Sequence, residues 1–509
     1  MTFDLKAIKD VSVEILSGID VLCIGHFNVL HPGHFRFINF AASKGSQLGI
    51  LLKGDQEFKE SEKQYYFPAP DRAEALSQIS IISHIFIRGE KTIEECLFLI
   101  KPKFFVLGHE FERDRTAEIN LMIERAEALG IQVIFHSGDR NLNFSARFEE
   151  GQAVVSQQDM ANQAFMRACA RRNIDLDSVA KAMSGFGSIK TLVIGDLIVD
   201  EFISSEPLGL SSEAPVVVVK EIEKRQYIGG AGVVASHVAS MGANCHFLSV
   251  SGDDDQRQFA IQKLSEYNVQ AEIVVDKNRP TTFKTRYMAG NQKLFRVSRL
   301  MDTDINVELE DQLIQKIEEL GPSLDNIIVS DFVYGVITDR VLAKLVEVSA
   351  QHNIRIFGDL QCSSQVGNVL KFQNFDMIFP TEKEARIAIN NKDDGLEFVS
   401  KTVFERSHCN NLIIKLGANG LIAYSKKESG FIESEHFPAL SVNPVDVSGA
   451  GDSVLAAIST AITSGINMLD AVAFGCIAAS CSVEVLGNFP VGSDRAKMRM
   501  EVLKKCVIK

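Results

Sequence analysis

Two short stretches of the chain hold residues whose types and spacing can do chemistry. In the first, Gly25-His-Phe-Asn-Val-Leu-His31-Pro-Gly-His34 follows an apolar run and precedes FRFINFAASK. A strand that feeds a turn and then a helix N-terminus makes an anion site, because free backbone N–H groups and the helix dipole both favour negative charge. His31 and His34 can share one side of that first turn and donate hydrogen bonds to a triphosphate as charge grows on it. No side-chain nucleophile is required, since an incoming phosphate can attack the α-phosphorus directly. In the second stretch, Gly449-Ala450-Gly451-Asp452 precedes SVLAAISTAI. Glycines at a helix start let successive N–H groups approach an anion without Cβ obstruction. Asp452 then stands where a carboxylate can take the proton of an attacking hydroxyl, a role worth about 10²–10⁴-fold in rate. The rest of phosphoryl transfer is positioning and charge neutralisation, supplied by the N–H cradle and a Mg²⁺.

These residues need elements to hold them. Ile19–Gly25 and Thr191–Asp196 are each an apolar run, a glycine and a turn, as in parallel α/β units. After the first, strand-like segments at 49–52, 84–87, 104–108 and 132–135 alternate with helical stretches. That pattern predicts a doubly wound domain over 1–150. Residues 151–188 are helical in pattern, end in SGFGS, and are expected to form a connector. A large second α/β domain is then predicted over 189–509. Within it, TTFKTRYMAGNQKLFRVSR alternates on both sides of a turn, a hairpin signal, and with APVVVVKEIE predicts a small separate sheet. The apolar 454–487 stretch, broken by polar residues and glycines, reads as a pair of buried helices.

Composition removes several classes of function. With 53 basic and 66 acidic residues the formal charge is −13, so a broad grip on a nucleic-acid backbone is not expected. No uninterrupted apolar run of about 18 residues predicts a membrane span. The start, MTFDLKAIKD, lacks a signal-peptide pattern, so a cytoplasmic enzyme is expected. The nine cysteines form no CxxC pair, which argues against a zinc site or disulfide framework.

The HPGH stretch resembles the HxGH signature of the cytidylyltransferase-like nucleotidyltransferases, and the likeness covers roughly residues 19–150. KGDQEFKESEKQYYFPAPDR resembles that family's lysine-bearing loop and following arginine, FVLGHEFE its later strand and turn, and NFSARF its late helix start. The resemblance implies that His31 and His34 bind the triphosphate, that Lys63 and Arg72 hold phosphates, and that Ser145 lies near the nucleotide, either ATP or CTP. Departures are Asn28 for the usual Asp, Leu107 for a Lys common in related sugar enzymes, and Ala146 for a hydroxyl residue.

The second stretch resembles the DTxGAGD signature of the ribokinase-like (PfkB) sugar kinases, and further motifs agree along 190–500. The resemblance implies a ribokinase-like α/β domain with a small β lid. It places Asp196, Asp200, Gly229, Gly230 and Asp359 at the sugar, and Gly449, Ala450 and Gly451 at the anion hole. It places Glu384, Lys415, Gly417 and Gly420 on the nucleotide side, with Glu384 acting on Mg²⁺ through water rather than as a direct ligand. The stretches at 211–220, 290–296 and 330–335 look like the heptose 7-phosphate kinase branch, whose members are often fused to a heptose 1-phosphate nucleotidyltransferase, in the opposite order from this chain. Departures are Val447 for Thr, Val233 for a sugar-holding Asn, Gln361 for the Lys of Asp-Pro-Lys, and Thr381 for the Asn of NxxE.

The expectation is therefore a bifunctional transferase of ADP-heptose-type synthesis for lipopolysaccharide core. One site would use Mg²⁺ with ATP to phosphorylate a sugar phosphate, and the other would transfer a nucleotidyl group to a sugar 1-phosphate. Two alternatives remain open: a sugar kinase with a degenerate nucleotidyltransferase domain or a different substrate, and a non-catalytic metabolite-binding regulator. The partners implied are small molecules, with a homodimer through the kinase lid.

Overall fold

The computed structural model describes residues 6–7, 18–28, 30, 32–55, 67–88, 91–108, 111, 117–136, 157–210, 216–289, 292–362, 367–426 and 432–506. They fall into two compact units, 1–153 with 390–402, and 154–389 with 403–509.

The first unit is built on a parallel six-stranded sheet: β1 (Lys6–Ala7), β2 (Val21–Gly25), β3 (Leu48–Leu52), β4 (His84–Ile87), β5 (Phe104–Leu107) and β6 (Gln132–Phe135), in the order β1-β4-β3-β2-β5-β6. β2 shows why an unbroken apolar run is needed here. Its side chains alternate, Leu22 and Ile24 packing into one buried cluster and Val21 and Cys23 into the other. Strand order reverses at β2, so its carboxyl end opens a crevice of the kind where ligands bind in doubly wound sheets. The Pro32–Ala42 helix starts there, with proline as its first residue.

The second unit has two sheets. The large one comprises β7 (Lys190–Gly195), β10 (Asn244–Ser251), β11 (Gln270–Val275), β14 (Asn326–Asp331), β15 (Arg355–Leu360), β16 (Met377–Ile378), β17 (Asn411–Lys415), β18 (Leu421–Lys426) and β19 (Ile432–Phe437). Its order is β11-β10-β7-β14-β15-β16-β17-β18-β19, parallel as far as β17 and antiparallel beyond. The small sheet comprises β8 (Leu197–Leu210), β9 (Val217–Gly230), β12 (Thr282–Ala289) and β13 (Gln292–Arg299), in the order β13-β12-β8-β9. The hairpin read from the sequence is β12 and β13, paired antiparallel. The two apolar helices are Ala450–Thr463 and Met468–Ser482, and both are buried along most of their length.

The segment read as a connector differs from that expectation. Its Gln157–Arg171 and Leu176–Ala182 helices put Phe165, Ala168, Cys169, Leu176 and Val179 into the core of the second unit, together with Met183 and Phe186. Arg171 and Arg172 clamp the buried carboxylate of Glu435 on β19 at 2.7 and 2.6 Å. Every third or fourth residue being apolar marked these helices, but helical periodicity does not say which core will receive the face.

Candidate active site

In the second unit the glycine cradle and its carboxylate are formed by local backbone chemistry. Gly449 is the N-cap of the Ala450–Thr463 helix with φ +77°, a left-handed conformation that glycine adopts without Cβ strain. A Cβ there would stand 3.0 Å from Asn488 Oδ1. Asp452 lies in the first turn, buried, and its Oδ1 accepts a hydrogen bond of 2.6 Å from Gln361 Nε2. The same nitrogen is 3.4 Å from Asp359 Oδ2. Asp359, fully buried on β15, pairs through Oδ2 with Lys415 Nζ at 2.5 Å.

Charge inside this cluster is unbalanced. Burial, and then Asp359 nearby, push Asp452 up to about 7, against the pull of Lys415 and the Gln361 bond. Burial likewise lifts Asp359 to about 6, partly offset by Lys415. Burial works against the Lys415 ammonium, yet Asp359 and Glu384 outweigh it and hold its pKa above the ordinary lysine value. Asp452 is therefore a carboxylate whose proton affinity lies near neutrality, as a general base requires.

Thr381 and Glu384 form a reciprocal cap at the start of the Glu382–Ile389 helix. Glu384 Oε2 accepts from Thr381 N–H at 2.7 Å, and Thr381 Oγ1 accepts from Glu384 N–H at 3.3 Å. Glu384 Oε1 takes the Cys362 N–H at 3.0 Å, so both of its oxygens are engaged by backbone. Gly417 and Gly420, with φ of +60° and +86°, turn the chain from β17 into β18, and a Cβ on Gly420 would collide with the Phe437 carbonyl.

The residues expected at the sugar divide. Asp200 receives Arg286 at 2.5 Å on one oxygen and Asn488 Nδ2 at 3.1 Å on the other. Gly229 leaves room for that carboxylate, since a Cβ would overlap Asp200 Oδ2, and Gly230 is held close to the Asp196 carbonyl. Asp196 is used differently. It accepts from the N–H groups of Phe332, Tyr334 and Val336 at 2.8, 3.3 and 3.4 Å, and so shapes the turn after β14. Burial and the neighbouring Asp331 raise its pKa. Val233 is fully buried in the apolar core. Three neighbours of the site carried little signal: Asn488 lies in irregular chain after the Met468–Ser482 helix, Arg286 is one of several cations in the hairpin, and Lys293 Nζ lies 3.7 Å from Asp446.

In the first unit, His34 is half-buried in the first turn of its helix, its ring 5.2 Å from that of Phe27. His31, Lys63 and Ser145 lie outside the described residues, as does Ala146. Arg72 is buried, donating to the Phe67 carbonyl at 2.8 Å, the His26 carbonyl at 2.6 Å and Asp55 at 2.7 Å. Those bonds fasten the turn after β2. Asn28 helps, its Oδ1 accepting from Phe67 N–H at 2.8 Å. His26 is held neutral, lowered to about 4 by burial and then by Lys53 and Arg72.

The profile of the pfkB family carbohydrate kinases matches residues 189–489. The chain belongs to this family. Its N-terminal part, residues 22–160, matches the cytidylyltransferase-like profile. Among similar proteins is the Bifunctional protein HldE of Trichlorobacter lovleyi, 29% identical over 62% of this chain and 64% of that protein. The Bifunctional protein HldE of Campylobacter jejuni is 32% identical over 60% of this chain and 64% of its own length. The match thus spans less than two thirds of these relatives. Phosphofructokinase-2 from Escherichia coli in complex with potassium shares the fold, with a TM-score of 0.52 and 16% identity, covering 62% of this chain and 99% of that one. Among the described residues, no helix is long and apolar enough to cross a membrane and no cluster of His, Cys, Asp and Glu is arranged to hold a metal ion.

Proposed function

We propose that the protein is a bifunctional transferase of nucleotide-activated sugar synthesis. Its kinase domain, 189–509, would phosphorylate a sugar phosphate with ATP, heptose 7-phosphate at C1 being the substrate that the motifs favour. Its N-terminal domain, 1–150, would transfer a nucleotidyl group from ATP or CTP to a sugar 1-phosphate. The observation that carries the kinase reading is Asp452, buried at a glycine-lined helix start with a pKa near 7. A purely binding protein has no use for a base there.

The residues perform distinct parts of the reaction. Gln361 fixes Asp452 Oδ1, so Oδ2 is the oxygen that receives the proton of the sugar hydroxyl. The Gly449, Ala450 and Gly451 amides face the phosphoryl group as its charge redistributes. Asp200 and Asp359, with Gly229 and Gly230 clearing space, would line the sugar side, while Asp196 holds the turn that borders it. Gly417 and Gly420 would let backbone approach the nucleotide.

The lining also suits Mg²⁺ arriving with ATP: Asp359 Oδ1 is buried without a hydrogen-bond partner, and three carboxylates surround one lysine. Asp359 and Glu384 would hold the ion's water shell. Bound there, the ion would neutralise phosphate charge.

In the N-terminal domain, His31 and His34 would donate to the triphosphate, with Lys63 and Ser145 near it. Arg72 would act by fastening the His26 turn. A cytoplasmic location and a dimer through the small sheet complete the reading; Val217, Ile222 and Val297 leave that sheet with exposed apolar side chains. Release of ADP with heptose 7-phosphate, and of pyrophosphate with sugar 1-phosphates, tests the two activities separately. ADP release without pyrophosphate release would favour a kinase carrying a degenerate first domain.

A further inference from the structure

The kinase cluster contains one largely buried cation, Lys415, and its position assigns it a task beyond neutralising Asp359. Lys415 ends β17, and its ammonium carries three donors. One is used by Asp359 at 2.5 Å, and among the described residues no acceptor takes the other two. The ammonium also packs against the cradle: a Cβ built on Gly451 would stand 3.4 Å from Lys415 Nζ. That is ordinary van der Waals distance, so the ammonium lies directly beside the amides that would face the transferring phosphoryl group.

Residue 361 has the complementary character. It is a neutral amide that holds Asp452 at 2.6 Å. A cation there, within the same distance of Asp452, would depress the basicity of that carboxylate. An amide orients it and leaves its proton affinity high.

We propose that Lys415 donates to the γ-phosphoryl group of the bound triphosphate, sharing its ammonium between that group and Asp359, while Gln361 is the positioning residue of Asp452. The inference rests on the reading of the second unit as an ATP-dependent kinase. Charged groups acting on Asp452 are Asp359 from β15, Lys415 from β17 and Asp200 from β8. Glu384 acts on Lys415 and Asp359 from the Glu382–Ile389 helix.

The deciding experiment compares binding of Mg²⁺-ADP and of a non-hydrolysable Mg²⁺-ATP analogue by calorimetry, with no sugar present. Lys415→Gln should weaken the analogue by about tenfold or more, the effect of losing one charge-assisted hydrogen bond, and leave ADP within about twofold. If Lys415→Gln does not fold, Asp359→Asn combined with Lys415→Gln removes the buried pair without leaving a lone charge, and the same selective loss is expected. Equal losses for both nucleotides, or none, would overturn the role of Lys415. In turnover, Lys415→Gln should lower kcat by about 10²-fold. Gln361→Ala should lower kcat with little change in KM for ATP and move the acid limb of the pH profile upward, since it removes a donor from the Asp452 carboxylate. An unmoved profile would overturn the role of Gln361. Failure of the kinase reading looks different: the wild type would phosphorylate no sugar phosphate, while the nucleotide comparison would still decide the contact of Lys415.

Discussion

Replacing Asp452 by Asn separates the two things this residue does. The change keeps shape and a polar head, and the Asn side-chain oxygen can still accept from Gln361 Nε2. It then turns an NH₂ toward the sugar hydroxyl, where a proton acceptor is required. Phosphorylation should fall by about 10²–10⁴-fold. Binding of ATP should change little, because the Gly449–Gly451 amides remain. Stability should move the other way. The folded pKa of Asp452 is about 7 against an ordinary 3.8, so keeping this carboxylate ionised in the fold costs at most about 4 kcal/mol. A raised folded pKa contributes stability that is fully present below the unfolded value and lost as pH rises through the folded one. Asn does not titrate. Its advantage over the wild type should therefore be small near pH 4, grow towards pH 7, and level off above it. In the wild type, kcat/KM should climb with pH up to about 7 and then flatten. Coupled ADP-release kinetics and denaturant unfolding across this range read both effects. Activity within about tenfold of wild type, or an unfolding free energy that does not gain from Asn at neutral pH, would refute the reasoning.

Other expected outcomes follow from single contacts. Glu435→Ala removes the shared partner of Arg171, which is partly exposed, and of Arg172, which keeps Glu433, and should destabilise the second unit by about 1.5–3 kcal/mol in denaturant unfolding. Arg72→Lys, which cannot reproduce three fixed bonds, should destabilise the first unit and impair any nucleotidyl transfer while leaving sugar phosphorylation unchanged. Equal loss of both activities would contradict it. A fragment starting at Val154 should fold cooperatively, whereas one starting at Ile189 loses Phe165, Leu176, Val179, Met183 and Phe186. At about 1.5–3 kcal/mol per buried apolar side chain, that second fragment should be largely unfolded by circular dichroism. His31→Ala should lower pyrophosphate release by about 10²-fold or more.

Much of the architecture was legible because it is written in short-range pattern. The strands at 84–87 and 132–135 begin and end where their apolar runs do, and the hairpin at 282–299 follows its alternation. The membership of the 157–188 helices was not legible, since the partner of an apolar helix face is fixed by contacts with strands hundreds of residues away. The same distinction holds at the site. Gly449 to Asp452 could be read as a cradle and base because one helix start contains them all. The Lys415–Asp359–Gln361–Asp452 chain could not, since it joins two strand ends, a turn and a helix. From sequence, Gln361 reads only as a lost cation, and in the fold a cation, Lys415, is found at the end of β17, two strands along the sheet. Asn488 and Arg286, which hold Asp200, had no local pattern to announce them.

The central claim is that the cradle at Gly449–Asp452 transfers a phosphoryl group to a phosphorylated sugar. Phosphorus NMR and mass spectrometry on a mixture of the protein, heptose 7-phosphate, ATP and Mg²⁺ test it most directly. The account predicts one ADP per sugar and a bisphosphate whose new signal couples to the C1 proton. Unchanged heptose 7-phosphate, with neither ADP nor a new phosphate ester formed, would contradict it.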